Sequence, residues 1–351
     1  MFIGDFMYRK TYAKINLENI KYNVSTLVNK LNNYKYHFGV CKADSYGHIG
    51  NEVVDKIIEG GCNYLAVATL EEALDIRKDF KDIPILILGI IDKEYLNLVK
   101  ENNLTITISN MEYAKELDNN NLKVHIKINT GMNRLGISIR KDFIDTYNLL
   151  KDKGYIIEGV YTHIYNDAVK EDTLNQVNCF KEITDGYNIP IVHIGASGYA
   201  LNYSKVDFVN GIRFGIAMYG LIENNLNLKS TFSLYSTIIQ INEVDNKSVG
   251  YNGAYKVNGN EKIAVVPIGY ADGIIRKNTG RYVYINDKKY PIVGNICMDM
   301  LFVKVDDTIN VGDTVILLKD NQHIMETAKY LDTICYEVIC NIGKRIPRIY
   351  E

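Results

Sequence analysis

No uninterrupted apolar run in this chain of 351 residues reaches the ~18 that a spanning helix needs, so no membrane segment is expected. The opening stretch, MFIGDFMYRK, lacks the long apolar core and small-residue cleavage site of a secretory signal, which points to a cytoplasmic protein. An excess of basic residues is missing as well. The formal net charge is −2, and nothing in that balance suggests nucleic acid or an anionic membrane as a partner. The six cysteines, at 41, 62, 179, 297, 335 and 340, make no CxxC pair. A chain of this length needs no disulfide staple, so buried or incidental thiols in a reducing compartment are expected. Arginine is scarce, 9 against 31 lysines. Only arginine offers a rigid, permanently charged fork, so its few positions, Arg134 and Arg213 among them, draw the eye.

What is present is a core. Hydrophobic residues make up 47% and charged residues 23%, the balance of a packed globular protein with room for one large and one smaller domain. Eight short apolar runs recur through the first two-thirds: YKYHFGV, YLAVAT, IPILILG, LTITIS, KVHIKI, IIEGVYTHI, IPIVHIG and VNGIRFG. Between most of them lie segments of helical periodicity. Leu17, Ile20, Val24, Leu27, Val28 and Leu31 form one apolar stripe. TLEEALDIRKDF reads as a helix capped by Thr69, with acids in its first turn. Strands alternating with helices imply parallel pairing, and eight such units fit a closed (β/α)8 barrel better than an open sheet. From about Ser233 the texture changes to strand-like runs separated by Asn, Asp and Gly turns, with NQHIMETAKYLD as the one helical stretch. The expected architecture is α/β: a barrel over residues 1–235 and a mostly-β domain over 236–351.

In such a barrel, chemistry sits where strands end. That rule brings Lys42, Arg134, His163, Ser197 and Arg213 to one mouth. Singly, each has a plain explanation: a solvated lysine, a structural histidine, a helix-capping serine. Together they suggest a lysine amine whose pKa is depressed among cations and which condenses with an aldehyde. Gly195, Ser197, Gly215 and Ile216 offer a hydroxyl and backbone N–H groups at loop-to-helix junctions, which hold phosphates well. An aldehyde plus a phosphate suggests pyridoxal 5′-phosphate, with other barrel chemistries still open on these residues alone.

Nine segments then carry a resemblance. VCKADSYGHIG, KINTGMNRLGI, YTHIYNDA, HIGASGYAL and IRFGIAMYG, followed by VGYNGAY, VPIGYADGIIR, PIVGNICMDM and CYEVICNIGKRIPRIY, closely resemble the motifs of alanine racemases, in family order and over essentially the whole chain. The resemblance implies a pyridoxal-phosphate barrel with a C-terminal β domain, assembled as a head-to-tail homodimer. It implies that Lys42 carries the cofactor and that Tyr46, Ser197, Gly215, Ile216 and Tyr336 anchor its phosphate. Arg213 would face the pyridine nitrogen, and Arg134 and the Met298 N–H would bind the substrate carboxylate. Tyr251 would be the second acid/base, lent to the partner's barrel, with His163 in a network linking it to Arg213. Tyr270, Arg276, Ile334 and Tyr336 would constrict the entrance. Lys127 matches a lysine that is carbamylated in some members; the plain alternative is an inner-strand lysine paired with an acid. Asn129 stands where the family often has Asp, Asn295 where it often has Arg, and HIYNDA departs from the usual continuation.

Racemisation explains the residue types. A proton must leave one face of Cα and return to the other, and one base cannot reach both, so Lys42 and Tyr251 are the expected pair. Alanine, feeding peptidoglycan precursors, is the expected substrate. A serine racemase of the glycopeptide-resistance type is the alternative; it is disfavoured because Tyr336 narrows the pocket and no N-terminal membrane domain is present. A non-catalytic cofactor carrier fits the second domain poorly. A decarboxylase would need an acid where Arg213 stands.

Overall fold

The computed structural model describes residues 8–118, 121–223 and 225–351. Residues 1–7, part of the stretch read as lacking a secretory signal, lie outside the described residues. Each of the eight apolar runs holds one strand of a closed parallel barrel. Strand β1, Tyr12–Ile15, precedes them. The barrel strands are β2 Tyr36–Val40, β3 Tyr64–Val67, β4 Ile85–Ile87, β5 Thr105–Ile108, β6 Lys123–Lys127, β7 Ile156–Tyr161, β8 Ile191–His193 and β9 Gly211–Phe214. The ring closes where β2 pairs with β9, Phe38 opposite Arg213.

Local chemistry places the outer helices. Helix α1, Leu17–Lys30, starts at Asn16, whose side chain accepts the Asn19 N–H at 2.7 Å. Its Ile20, Val24 and Leu27 are fully buried, each contributing ~1.5–3 kcal/mol. The helix Leu70–Asp79 begins with the expected Thr69 cap, and Glu72 completes a capping box.

The second domain is a nine-stranded sheet. Strand β10, Phe232–Thr237, lies inside it and spans the expected boundary between residues 235 and 236. Strand β1 belongs to this sheet too, antiparallel to β10 and parallel to Arg348–Tyr350 at the sheet edge. The first and last strands of the described residues are thus neighbours. The short run YAKI alternates half-buried and buried, the pattern of a strand with one covered face rather than of a barrel stave. The single helix expected in this domain is present as Asn321–Leu331, and a second, Cys335–Cys340, joins it. At six residues it is too short to leave a periodic signal, and it carries Tyr336. Among the described residues, no helix is long and apolar enough to cross a membrane.

Candidate active site

Lys42 stands two residues past the end of β2. The four residues after it, Ala43, Asp44, Ser45 and Tyr46, all have left-handed backbone, with φ of 53°, 52°, 52° and 57°. Each such non-glycine residue costs ~1–2 kcal/mol, so the turn needs outside support. Glu72 accepts the Ala43 N–H at 2.6 Å. Lys344 pairs with Asp44 at 3.1 Å, and Arg348 donates to the Gly47 carbonyl at 2.8 and 3.1 Å. The far end of the chain therefore clamps the turn beside Lys42. The turn aims Tyr46 beneath Gly215: a Cβ on residue 215 would come within 2.7 Å of the Tyr46 hydroxyl. From the other side Ser197 Oγ accepts the Gly215 N–H at 3.1 Å. Ala196, not Ser197, holds the cap position of the following helix; the Ser197 hydroxyl serves Gly215 instead.

These groups face a cavity of about 410 Å³ at the strand ends, lined by Lys42, Tyr46, Lys127, Arg134, His163, Ser197, Arg213, Gly215, Ile216 and Tyr336. Tyr161 and Asp167 line it as well. Neither stands out in the sequence, although both fall in YTHIYNDA. Gly198 makes room for Asp167, because a Cβ there would lie 1.8 Å from the carboxylate. The Tyr336 ring sits 5.8 Å from that of Tyr46. Asn129, in place of the usual acid, organises the loop leading to Arg134. Its side-chain oxygen accepts the Gly131 and Asn133 N–H groups, and its amide donates to Ser138 Oγ at 3.0 Å, which a carboxylate cannot do.

The cavity is rich in cations. Burial, then the charge of Arg134, lowers the pKa of Lys42. Arg213 is 3% exposed. Its Nη1 donates to His193 Nδ1 at 2.7 Å, and its Nη2 to the Thr162 and Ile194 carbonyls at 2.7 and 3.1 Å and towards His163 Nδ1 at 3.4 Å. Burial brings its pKa down to about 10, so it stays charged. Burial and the neighbouring Arg213 push His163 down to about 3, which keeps it neutral.

Lys127 is 7% exposed and lies 4.4 Å over the Tyr161 ring. Among the described residues it forms no ion pair, contrary to the plain alternative of a lysine held by an acid. Burial, then Arg213 and Arg134, bring it down to about 6. Unfolded, the amine titrates near 10.5. Between those values the unfolded chain binds the extra proton, so stability rises with pH by up to ~1.4 kcal/mol per unit. Below about 6 both states are protonated and this slope ends. Urea unfolding of Lys127→Met should show that slope removed, with the largest gain at the acid end. An identical slope in both proteins would refute a buried neutral amine.

Five expected site residues lie outside the cavity lining of a single chain. Tyr251 (67% exposed), Tyr270, Arg276, Met298 and Ile334 are all exposed on the second domain. Asn295 donates to the Tyr251 carbonyl at 2.9 Å, fixing that turn. The Tyr270 and Ala271 N–H groups donate to the carbonyls of Cys297 and Met298, which makes the two loops one unit.

A strand-end lysine, the Tyr46 and Ser197 hydroxyls about Gly215, and the guanidinium groups of Arg134 and Arg213 thus share one cavity at the barrel's strand ends. The family model for the alanine racemase N-terminal domain matches residues 15–223, and that for the C-terminal domain matches residues 231–350. An alanine racemase of Halalkalibacterium halodurans is 34% identical over 99% of this chain and 96% of its own length. Alanine racemase 1 of Bacillus subtilis is 34% identical over 98% and 93%. The crystal structure of alanine racemase from E. faecalis superposes with a TM-score of 0.93 at 30% identity, covering 100% of both chains. That from Bacillus anthracis with bound L-Ala-P gives 0.92 at 31% identity, covering 99% of this chain and 96% of the other. The chain belongs to the alanine racemase family.

Proposed function

We propose that this enzyme interconverts L- and D-alanine with pyridoxal 5′-phosphate carried on Lys42, as a cytoplasmic homodimer supplying D-alanine for peptidoglycan. The observation that carries the reading is the cation-rich cavity with an amine of lowered pKa at its mouth, set in a chain related to alanine racemases over its whole length. Its fit to the cofactor rests on the cradle at Gly215, where Tyr46 and Ser197 present hydroxyls to a space that any side chain would fill. Bound there, the cofactor supplies a conjugated ring that draws electron density from the substrate Cα.

The protein's own groups do the rest. Arg134, with the Met298 N–H from the partner, holds the substrate carboxylate. Lys42, whose pKa is lowered by burial and then by Arg134, takes or returns a proton on one face of Cα. Tyr251 of the second subunit serves the opposite face. Arg213, charged and without a carboxylate among its hydrogen-bond partners, would face the ring nitrogen of a bound cofactor, disfavour a proton there and so suppress transamination. Tyr336 narrows the cavity against larger side chains. Lys127, buried and uncharged at neutral pH, has the chemistry a carbamate requires.

Two measurements test this. Borohydride reduction of the yellow protein should add a reduced pyridoxyl phosphate to the peptide containing Lys42, seen by mass. In deuterated water, L-alanine should exchange Cα–H and lose optical rotation much faster than L-serine. Label on any other lysine, or serine turning over as fast as alanine, defeats the reading.

A further inference from the structure

Barrel interiors are usually filled by branched aliphatic side chains. This one carries a column of polar and aromatic groups down from Arg213. Arginine has no acceptor atom, so the 2.7 Å contact from its Nη1 requires His193 Nδ1 to be unprotonated. The proton of His193 is therefore on Nε2, which lies 2.9 Å from His125 Nδ1. That nitrogen must accept in turn, which leaves the His125 proton on Nε2. His125 Nε2 faces Glu158 Oε2 at 3.4 Å, an ion-pair separation longer than a good hydrogen bond, and has no other partner. Every proton in the chain is thereby assigned, and all point the same way.

The column is built for this arrangement. His193 is sandwiched between Phe38 and Tyr161, with ring centroids 4.5 and 4.7 Å away and both planes within 13° of parallel. A Cβ on Gly159 would strike the His125 ring at 2.5 Å. The pairing of β6 with β7 slips by one residue at His125. At the foot of the barrel Glu158 also accepts the Tyr64 hydroxyl at 2.6 Å and that of Thr105 at 3.3 Å. Desolvation raises the Glu158 carboxyl, but the His125 ring, the Tyr64 hydroxyl and Lys123 outweigh it and hold it at about 2, ionised. Burial keeps both imidazoles neutral.

We infer that Glu158 is the counter-charge of Arg213, acting through two hydrogen-bonded imidazoles, so that His193, His125 and Glu158 are positioning residues for that arginine. The inference rests on the proposed place of Arg213 against the cofactor ring. It gives a buried guanidinium without a contacting carboxylate the negative charge it needs, at a distance that leaves the cavity itself cationic.

The test has two arms. In protein labelled with ¹⁵N-histidine and free of cofactor, the imidazoles of His125 and His193 should both appear as Nε2–H tautomers that do not titrate between about pH 6 and 8. The second arm uses Glu158→Gln, which keeps an acceptor and removes the charge, beside Arg213→Lys. In the side reaction, alanine gives its amino group to the cofactor and leaves as pyruvate. The ratio of pyruvate formed to alanine racemised should rise about 10-fold in both variants. A rise in Arg213→Lys alone overturns the relay and leaves the role of Arg213 standing. No rise in either overturns both. An Nδ1–H tautomer at His193 in the unaltered protein overturns the inference whether or not the variants fold.

Discussion

Lys42→Ala should lower alanine racemisation by at least ~10⁴-fold in kcat while leaving the fold intact. The size follows from two losses at once: the covalent tether of the cofactor and the acid/base for one face of Cα. The second half of the expectation follows from the electrostatics. Lys42 shares its cavity with Arg134 and Arg213, both of which oppose its charge. Removing the amine relieves that repulsion, so the thermal midpoint should be unchanged or higher. Steady-state rates in both directions, with a melting curve on the same sample, check it. A variant within tenfold of the parent, or one that is inactive because it has unfolded, would sink the assignment.

Substituting Tyr251 should unbalance the reaction rather than abolish it evenly. In Tyr251→Ala, Cα exchange in deuterated water should persist for one enantiomer through Lys42 and fall ~10²–10⁴-fold for the other. Equal losses on both enantiomers count against a two-base reading. Within one chain Tyr251 is exposed and outside the cavity that Lys42 lines, so the proposal needs a second subunit. That requirement has its own measurement. Mixing inactive Lys42→Ala and Tyr251→Ala protomers, with exchange of subunits, makes half the dimers mixed. If each site takes its lysine from one chain and its tyrosine from the other, one site in each mixed dimer is whole, and about a quarter of parental activity returns. If both residues act within one chain, mixing restores nothing.

The exposed residues around Tyr251 explain why the sequence motifs and the single-chain cavity differ in extent. VCKADSYGHIG, KINTGMNRLGI, YTHIYNDA, HIGASGYAL and IRFGIAMYG supply every expected residue that lines the cavity apart from Tyr336. VGYNGAY, VPIGYADGIIR and PIVGNICMDM supply residues on an outer face of the second domain. A motif records which residue types occur together in a family; it carries no statement of which chain they come from. Asp167 and Tyr161 went unmarked for a related reason. An aspartate in a loop and a tyrosine on a strand are common, and only the closed barrel turns both towards Lys42.

The sequence by itself determined the barrel staves, the Thr69 cap and the order of motifs, because apolar periodicity and capping act over a few residues and are written locally. It also determined the family. Tertiary structure decided what depends on partners far along the chain. Strand β1 joins the distant sheet because its hydrogen-bond partners are residues 232–235 and 348–350. The left-handed turn after Lys42 survives because Arg348 reaches back to Gly47. The lowered pKa values of Lys42 and Lys127 and the directed column from Arg213 to Glu158 arise from burial and from charges on other strands. Desolvation and Coulomb interaction depend on distance in space, and the chain order does not encode that distance until the barrel has closed.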